Sequence, residues 1–212
     1  MNTGLNKKVL NRLESLFGEM VKVLEALKQD LDFSLVVLQK DPANQMVRRM
    51  AIRNFCAFAE GTVHGWKNLT LEFHKVFASG LTHQEIAALR EETSEVDSNG
   101  KAGTRRMNIP FQHNFKFACN TYRRVFLNSY EPDFGVDSWQ KVIEVFKVRD
   151  RLMHPKASKS VEVEDAEILA LKQAFFWLNE VGRKLPESWE TAKIQERVKI
   201  SKASEPPFNR DN

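Results

Sequence analysis

The chain is expected to fold as an all-α bundle of about five to six helices, with a small β-hairpin or loop inserted near residues 92–109. Three observations carry this expectation. Apolar residues recur at three- and four-residue intervals along most of the 212-residue chain. Hydrophobic residues make up 42% of it, with 15 phenylalanines, enough to build a substantial core. The one stretch that reads as paired strands is polar and centred on Asn99-Gly100, a strong tight-turn pair.

Residues 5–28 read as an amphipathic helix through Leu13, Leu16, Phe17, Met20, Val21, Leu24 and Leu27. Residues 29–42 read as a connection, in which Leu35-Val36-Val37-Leu38 is either a helical turn or a short strand. The longest helical pattern spans 43–78, where Phe55, Ala59, Thr62, Trp66, Leu69, Phe73 and Phe77 form one stripe. Ala57, Gly61 and Gly65 form a second row at spacing four. Glycine inside a helix costs about 1 kcal/mol relative to alanine, so such a row points to close approach of a neighbouring helix. A third row holds Arg53, Glu60 and His64 within roughly 40° of one another. A solvated, ion-paired row is one reading. The other is that a central helix has little face to spare, so Arg53 or Glu60 reaches the site at the end of a later helix.

Thr82 and Glu85 form a capping-box pattern that opens a short helix over 82–91. The insertion follows, acidic at first and then basic, with Arg105 and Arg106 placed to touch a phosphate backbone or simply to stay solvated. Helix resumes over 111–129 through Phe115, Cys119, Tyr122, Val125 and Phe126, and Glu131 to Gly135 is a turn. Residues 137–153 form the next helix, 156–163 a polar loop, and 164–184 the last long helix. This gives one helical domain over 1–185, containing the 92–109 insertion, and a basic tail over 186–212.

The most informative stretch is Val148-Arg149-Asp150-Arg151-Leu152-Met153-His154-Pro155. Trp139, Val142, Ile143, Phe146 and Met153 share one helix side at about 100° per residue. Arg149 and Asp150 project toward that side, roughly 60° and 40° to either flank of Phe146. Charges aimed at a core are costly unless paired or used. Pro155 disfavours helix at the residue before it, so the helix ends near His154, which is left free to swing toward Arg149. An arginine, a carboxylate and a histidine at a helix end can handle a phosphodiester. The same residues can also be an ion-paired cap and a histidine bonded to a carbonyl.

This stretch resembles the signature of the HEPN superfamily: an arginine, a polar residue, a few further residues and then a histidine. Arg149 and Asp150 match the first two positions, and four residues separate Arg149 from His154. The resemblance extends to the helical layout over roughly residues 5–185, though only three positions carry chemistry. It implies a homodimeric, metal-independent endoribonuclease of toxin–antitoxin or anti-phage systems, with catalytic Arg149, Asp150 and His154. The alternative within the family is a non-catalytic module that binds RNA or a nucleotide, or that pairs with an antitoxin or nucleotidyltransferase partner.

Metal-free RNA cleavage uses the 2′-hydroxyl as nucleophile and needs a base, an acid and positive charge on the phosphoryl oxygens. Histidine is the side chain suited to proton exchange near neutral pH, which points to His154. The planar guanidinium of Arg149 can hold two phosphate oxygens. Asp150 repels phosphate, so its role is to orient His154 or Arg149. Arg151 and Lys156 flank the motif and are expected to attract substrate. One histidine per chain is few for acid–base chemistry, and the face-to-face dimer implied by the resemblance supplies two.

A net charge of +4 and an isoelectric point near 9.0 are compatible with RNA without arguing for it. No run of about 18 apolar residues predicts a membrane span. Cys56 and Cys119 lie in helical apolar patterns, and His74, His83 and His113 show no metal-ligand spacing. No metal or cofactor is therefore expected. The N-terminus lacks an apolar signal region, and the cysteine usage fits a reducing, cytoplasmic location.

Overall fold

The structure, a computed structural model, describes residues 3–77 and 80–187. Six α-helices and one two-stranded antiparallel sheet follow in the order α1 (Thr3–Lys40), α2 (Gln45–Phe77), α3 (His83–Arg90), β1 (Glu92–Val96), β2 (Ala102–Arg106), α4 (Phe111–Val125), α5 (Asp137–Met153) and α6 (Asp165–Lys184). The all-α bundle with a small hairpin is as the sequence led us to expect. Most of the basic tail, 188–212, lies outside the described residues.

The first helix departs from the sequence reading. Residues 29–40 are not a connection but continue α1. Neither glycine nor proline interrupts this stretch, and Leu31, Ser34 and Leu38 bury one face at helical spacing. Ser34 satisfies its hydroxyl on the Leu31 carbonyl at 2.7 Å. The break falls at Asp41-Pro42, after which Asn44 caps α2 by accepting from the amides of Met46 (3.0 Å) and Val47 (3.3 Å).

Helix α2 is central and contacts α1, α4, α5 and α6. Its stripe from Phe55 to Phe73 is buried. The glycine row serves close packing: a Cβ at Gly61 would stand 2.6 Å from Leu27 Cδ1, and one at Gly65 2.6 Å from Met20 Cγ. Both neighbours belong to α1. An aromatic group fills the opposite side, with Phe115 at ring-centroid distances of 5.6 Å from Trp66, 5.3 Å from Trp139 and 5.7 Å from Trp177. These rings join α2, α4, α5 and α6 into one core.

Thr82 and Glu85 form the anticipated capping box, and β1 pairs with β2 from Glu92 opposite Arg106 to Val96 opposite Ala102. The hairpin is mostly exposed. Helix α5 ends at Met153, with His154 as its C-cap. Met153 is 55% exposed and does not join the apolar side assigned to it. It is still helical, in the last turn of α5, and Val148 and Leu152 are the buried residues of that end. Among the described residues no helix is long and apolar enough to cross a membrane.

Candidate functional site

Helices α2 and α5 run side by side so that the Arg53–Glu60–His64 row faces the last turns of α5 at one position. Glu60 Oε1 accepts from Arg149 Nη2 at 2.9 Å. Asp150 Oδ1 stands 3.1 Å from Arg149 Nε. That contact has ionic distance but not hydrogen-bond alignment, so the buried Nε keeps no acceptor. The guanidinium carbon lies 5.1 Å from the centroid of the Phe146 ring, within cation–π range. Phe146 in turn stacks on Phe111 at 3.6 Å between centroids. Arg149 is thus held by two carboxylates and an aromatic face, with 27% of its side chain exposed.

This group borders a cavity of about 1030 Å³. Helix α2 contributes Glu60, Val63 and His64 to its wall, and α5 contributes Ile143, Phe146, Lys147, Arg149 and Asp150. The remaining wall is the return from the hairpin, from Arg106 through Asn108 and Pro110 to Phe111, Gln112 and Asn114 at the start of α4. His64 shares a 2.8 Å contact with the Asn68 amide.

A second polar cluster forms the base of this cavity, and the sequence reading did not find it. Lys67 is 3% exposed. Its ammonium donates to Glu91 Oε1 and Asn114 Oδ1, each at 2.9 Å, and Asn114 Nδ2 donates back to Glu91 at 3.0 Å. Arg106 Nη2 stands 3.6 Å from the other Glu91 oxygen. Burial pulls the Lys67 ammonium below its ordinary value, against the bond and charge of Glu91. Burial also opposes the Glu91 charge, but Lys67, Asn114 and Arg106 prevail and hold its carboxyl below the usual range. The signal was present: Lys67 continues the Glu60 row two helical turns on, and that row turns inward along its length.

The other expected site residues separate. Asp150 is exposed and faces Arg149, so of its two expected roles the orientation of Arg149 is the one that the geometry supports. His154 is exposed, its backbone amide donates to Asp150 O at 3.1 Å, and it does not line the cavity. Its ring makes no bond with Arg149 or Asp150. Arg53 and Lys156 are exposed and away from the cavity. Arg105 stands 3.6 Å from Glu95 across the hairpin, also outside it.

Arg151 is engaged by the fold, with 32% of its side chain exposed. It donates to the carbonyls of Ser160 (3.1 Å) and Glu162 (2.7 Å) and to both Glu167 carboxylate oxygens (2.7 and 2.9 Å). Arg48 and Gln45 hold the same loop from α2, with Arg48 Nη1 donating to Val163 O at 2.7 Å and Val163 N donating to Gln45 Oε1 at 2.8 Å. The loop after His154 is therefore strapped to two helices, and this fixes where α5 ends.

Beneath Arg149, burial pushes the Cys56 thiol well above its ordinary value, with Arg149 acting in the opposite direction. Cys56 is a protonated, packing thiol. Among the described residues no three His, Cys, Asp or Glu side chains come together as a metal-holding group. Neither protein-family models, curated proteins nor solved structures provide a match to this chain.

Proposed function

We propose that the protein is a metal-independent endoribonuclease that acts as a homodimer, in the manner of toxins and anti-phage defence proteins. The observation that carries this reading is the held guanidinium. Glu60 from the central helix fixes Arg149 over Phe146 at the mouth of the cavity, while His154, five residues on, leaves the helix end with an exposed ring. An arginine with a defined orientation suits a phosphate clamp, and a solvent-reachable imidazole suits proton transfer.

In the reaction, a base takes the proton of the 2′-hydroxyl, and the 2′-oxygen bonds to the adjacent phosphorus. The bond to the 5′-oxygen breaks, and that oxygen takes a proton. The products are a 2′,3′-cyclic phosphate and a 5′-hydroxyl. Arg149 balances charge on the phosphoryl oxygens. Two copies of His154 across the dimer serve as base and acid.

The test is incubation of labelled RNA with purified protein in chelator, comparing wild type with Arg149→Ala and His154→Ala. Cleavage by wild type alone, leaving cyclic-phosphate ends, is the expected result. Equal cleavage by His154→Ala removes His154 from the mechanism. No cleavage by folded, dimeric wild type overturns the enzyme reading.

One observation favours a second reading, a module that binds RNA or a nucleotide without cutting it. Arg149 already has two carboxylates, and His154 lies off the cavity. RNA binding with unaltered substrate ends would select that reading. A stoichiometric copurifying antitoxin or nucleotidyltransferase would instead select a partner-interaction role.

A further inference from the structure

We infer that the cavity beside Arg149 is a pocket for one unpaired base of the RNA strand, and that it gives the protein its sequence preference. The inference rests on the reading of Arg149 as the clamp on the neighbouring phosphate. Its first support is charge. The cavity wall carries Arg106, Lys147 and Arg149 against Glu60, Glu91 and Asp150. Each arginine has a carboxylate oxygen within 3.6 Å. Lys67 behind Glu91 at 2.9 Å adds a fourth cation, but it and both arginines are already engaged by carboxylates, so the phosphate stays at the rim, where Arg149 is partly exposed. A neutral, flat group bearing donors and acceptors suits the interior.

The second support is the lining. Phe111 and Ile143 are partly exposed on the wall, and the buried Phe146 ring backs Phe111 at 3.6 Å. These surfaces suit a base face, because stacking is available to every base. The amides of Asn108 and Gln112 lie on the same wall and suit reading of base edges. Asn114 is different, since Lys67 and Glu91 already occupy its amide and fix it in place. The volume of about 1030 Å³ sits at the upper end of ligand pockets, roughly 300–1,000 Å³, and leaves room for ribose and water. A base can enter only when it is unpaired, so the expected substrate is a single-stranded or looped RNA.

The experiment uses full-length His154→Ala protein, which leaves the RNA whole. A short single-stranded RNA carries an end label for anisotropy and 2-aminopurine at one position, moved along the strand in successive RNAs. Binding is expected to quench 2-aminopurine emission roughly two-fold or more at one position, as for a base transferred to an aromatic face. Ile143→Phe on α5 and Gln112→Phe on α4 are each expected to remove that quenching.

RNA that binds with 2-aminopurine bright at every position overturns the pocket, as does quenching that persists in both filled variants. Free nucleoside monophosphate that binds the wild-type cavity while bound RNA stays bright overturns it too, and makes a free nucleotide the occupant. Cleavage by wild type with a bright base refutes the pocket alone. Position-specific quenching without cleavage by wild type refutes the ribonuclease alone. Absence of RNA binding refutes both.

Discussion

Replacing Glu91 with glutamine is expected to be far more damaging than replacing its buried partner Lys67 with methionine. Lys67 is 3% exposed, and among the described residues Glu91 is its one anionic partner, at 2.9 Å. Glu91→Gln keeps the shape and one acceptor but strands an ammonium in the interior. Breaking a buried pair in this way costs about 3–5 kcal/mol. The loss has a ceiling, because the stranded lysine can release its proton. At pH 7 that costs about 1.36 kcal/mol for each of about 3.4 units below the ordinary lysine value, or roughly 4.6 kcal/mol. Glu91 is 29% exposed, so water screens part of the interaction and the expected loss is about 3 kcal/mol. Lys67→Met removes the charge with a side chain of similar length and leaves Glu91 partly solvated beside Arg106. Its expected effect is within about 1 kcal/mol of wild type, and the double variant should return to the same range. Urea denaturation measures all three. With a slope near 3 kcal/mol/M, Glu91→Gln lowers the midpoint by about 1 M. Thermal melting should shift by about 6–12 °C. A loss under about 1 kcal/mol for Glu91→Gln, or an equal loss for Lys67→Met, would refute the reasoning.

The same cluster makes stability depend on pH. Glu91 is held below its ordinary value of 4.5, so its contribution is present above that value and is lost as pH falls through the lower folded value. Urea midpoints of wild type should fall in that acid range, and those of Glu91→Gln should fall less. Lys67 is also lowered, from 10.5, so the unfolded chain holds the proton longer and stability rises as pH climbs toward that value; Lys67→Met should remove this rise. Arg151→Ala should lower stability by about 1–3 kcal/mol through lost charge-assisted bonds, and on the proposed RNA-binding reading affinity should stay at the wild-type level, measured by anisotropy with His154→Ala as background. Gly65→Ala should cost about 1–2 kcal/mol, because overpacking against the Met20 stem outweighs the gain in helix propensity. Gly61→Ala meets only the flexible end of Leu27 and should be near neutral by the same urea assay.

The site was legible in part because helical angles could be read directly. Glu60 and Arg149 are 89 residues apart, yet each sat at the edge of an apolar helix face, where it keeps part of its side chain in solvent. Their meeting at 2.9 Å followed from the two helices packing side by side. Lys67 escaped because a lysine on a polar row reads as solvated, and only the arrival of α4 and the hairpin over that row buries it. The partners of Arg151 escaped for the opposite reason. Its neighbours in the sequence are charged, but its partners are the carbonyls of a loop whose path back to α2 no local pattern specifies. The length of α1 was legible in the sequence: residues 29–40 contain no helix breaker, and Leu31, Ser34 and Leu38 continue the buried face.

The carboxylates around Arg149 bear most directly on how the site would work. An unpaired guanidinium at a cavity mouth would attract any passing anion, and its long side chain would sample many rotamers. Glu60 and Asp150 remove both freedoms. They hold the fork over Phe146 and lower its appeal to anions that bring nothing else. A phosphate can compete for Arg149 only when further contacts of the same ligand offset the loss of those bonds. The cavity wall, with its stacked rings and amides, offers contacts of that kind to a base covalently joined to the phosphate. In this arrangement affinity for the backbone and recognition of the base become conditional on each other. Selectivity then arises from a charge-balanced site more readily than from a strongly basic one, where phosphate attraction alone would bind every sequence alike.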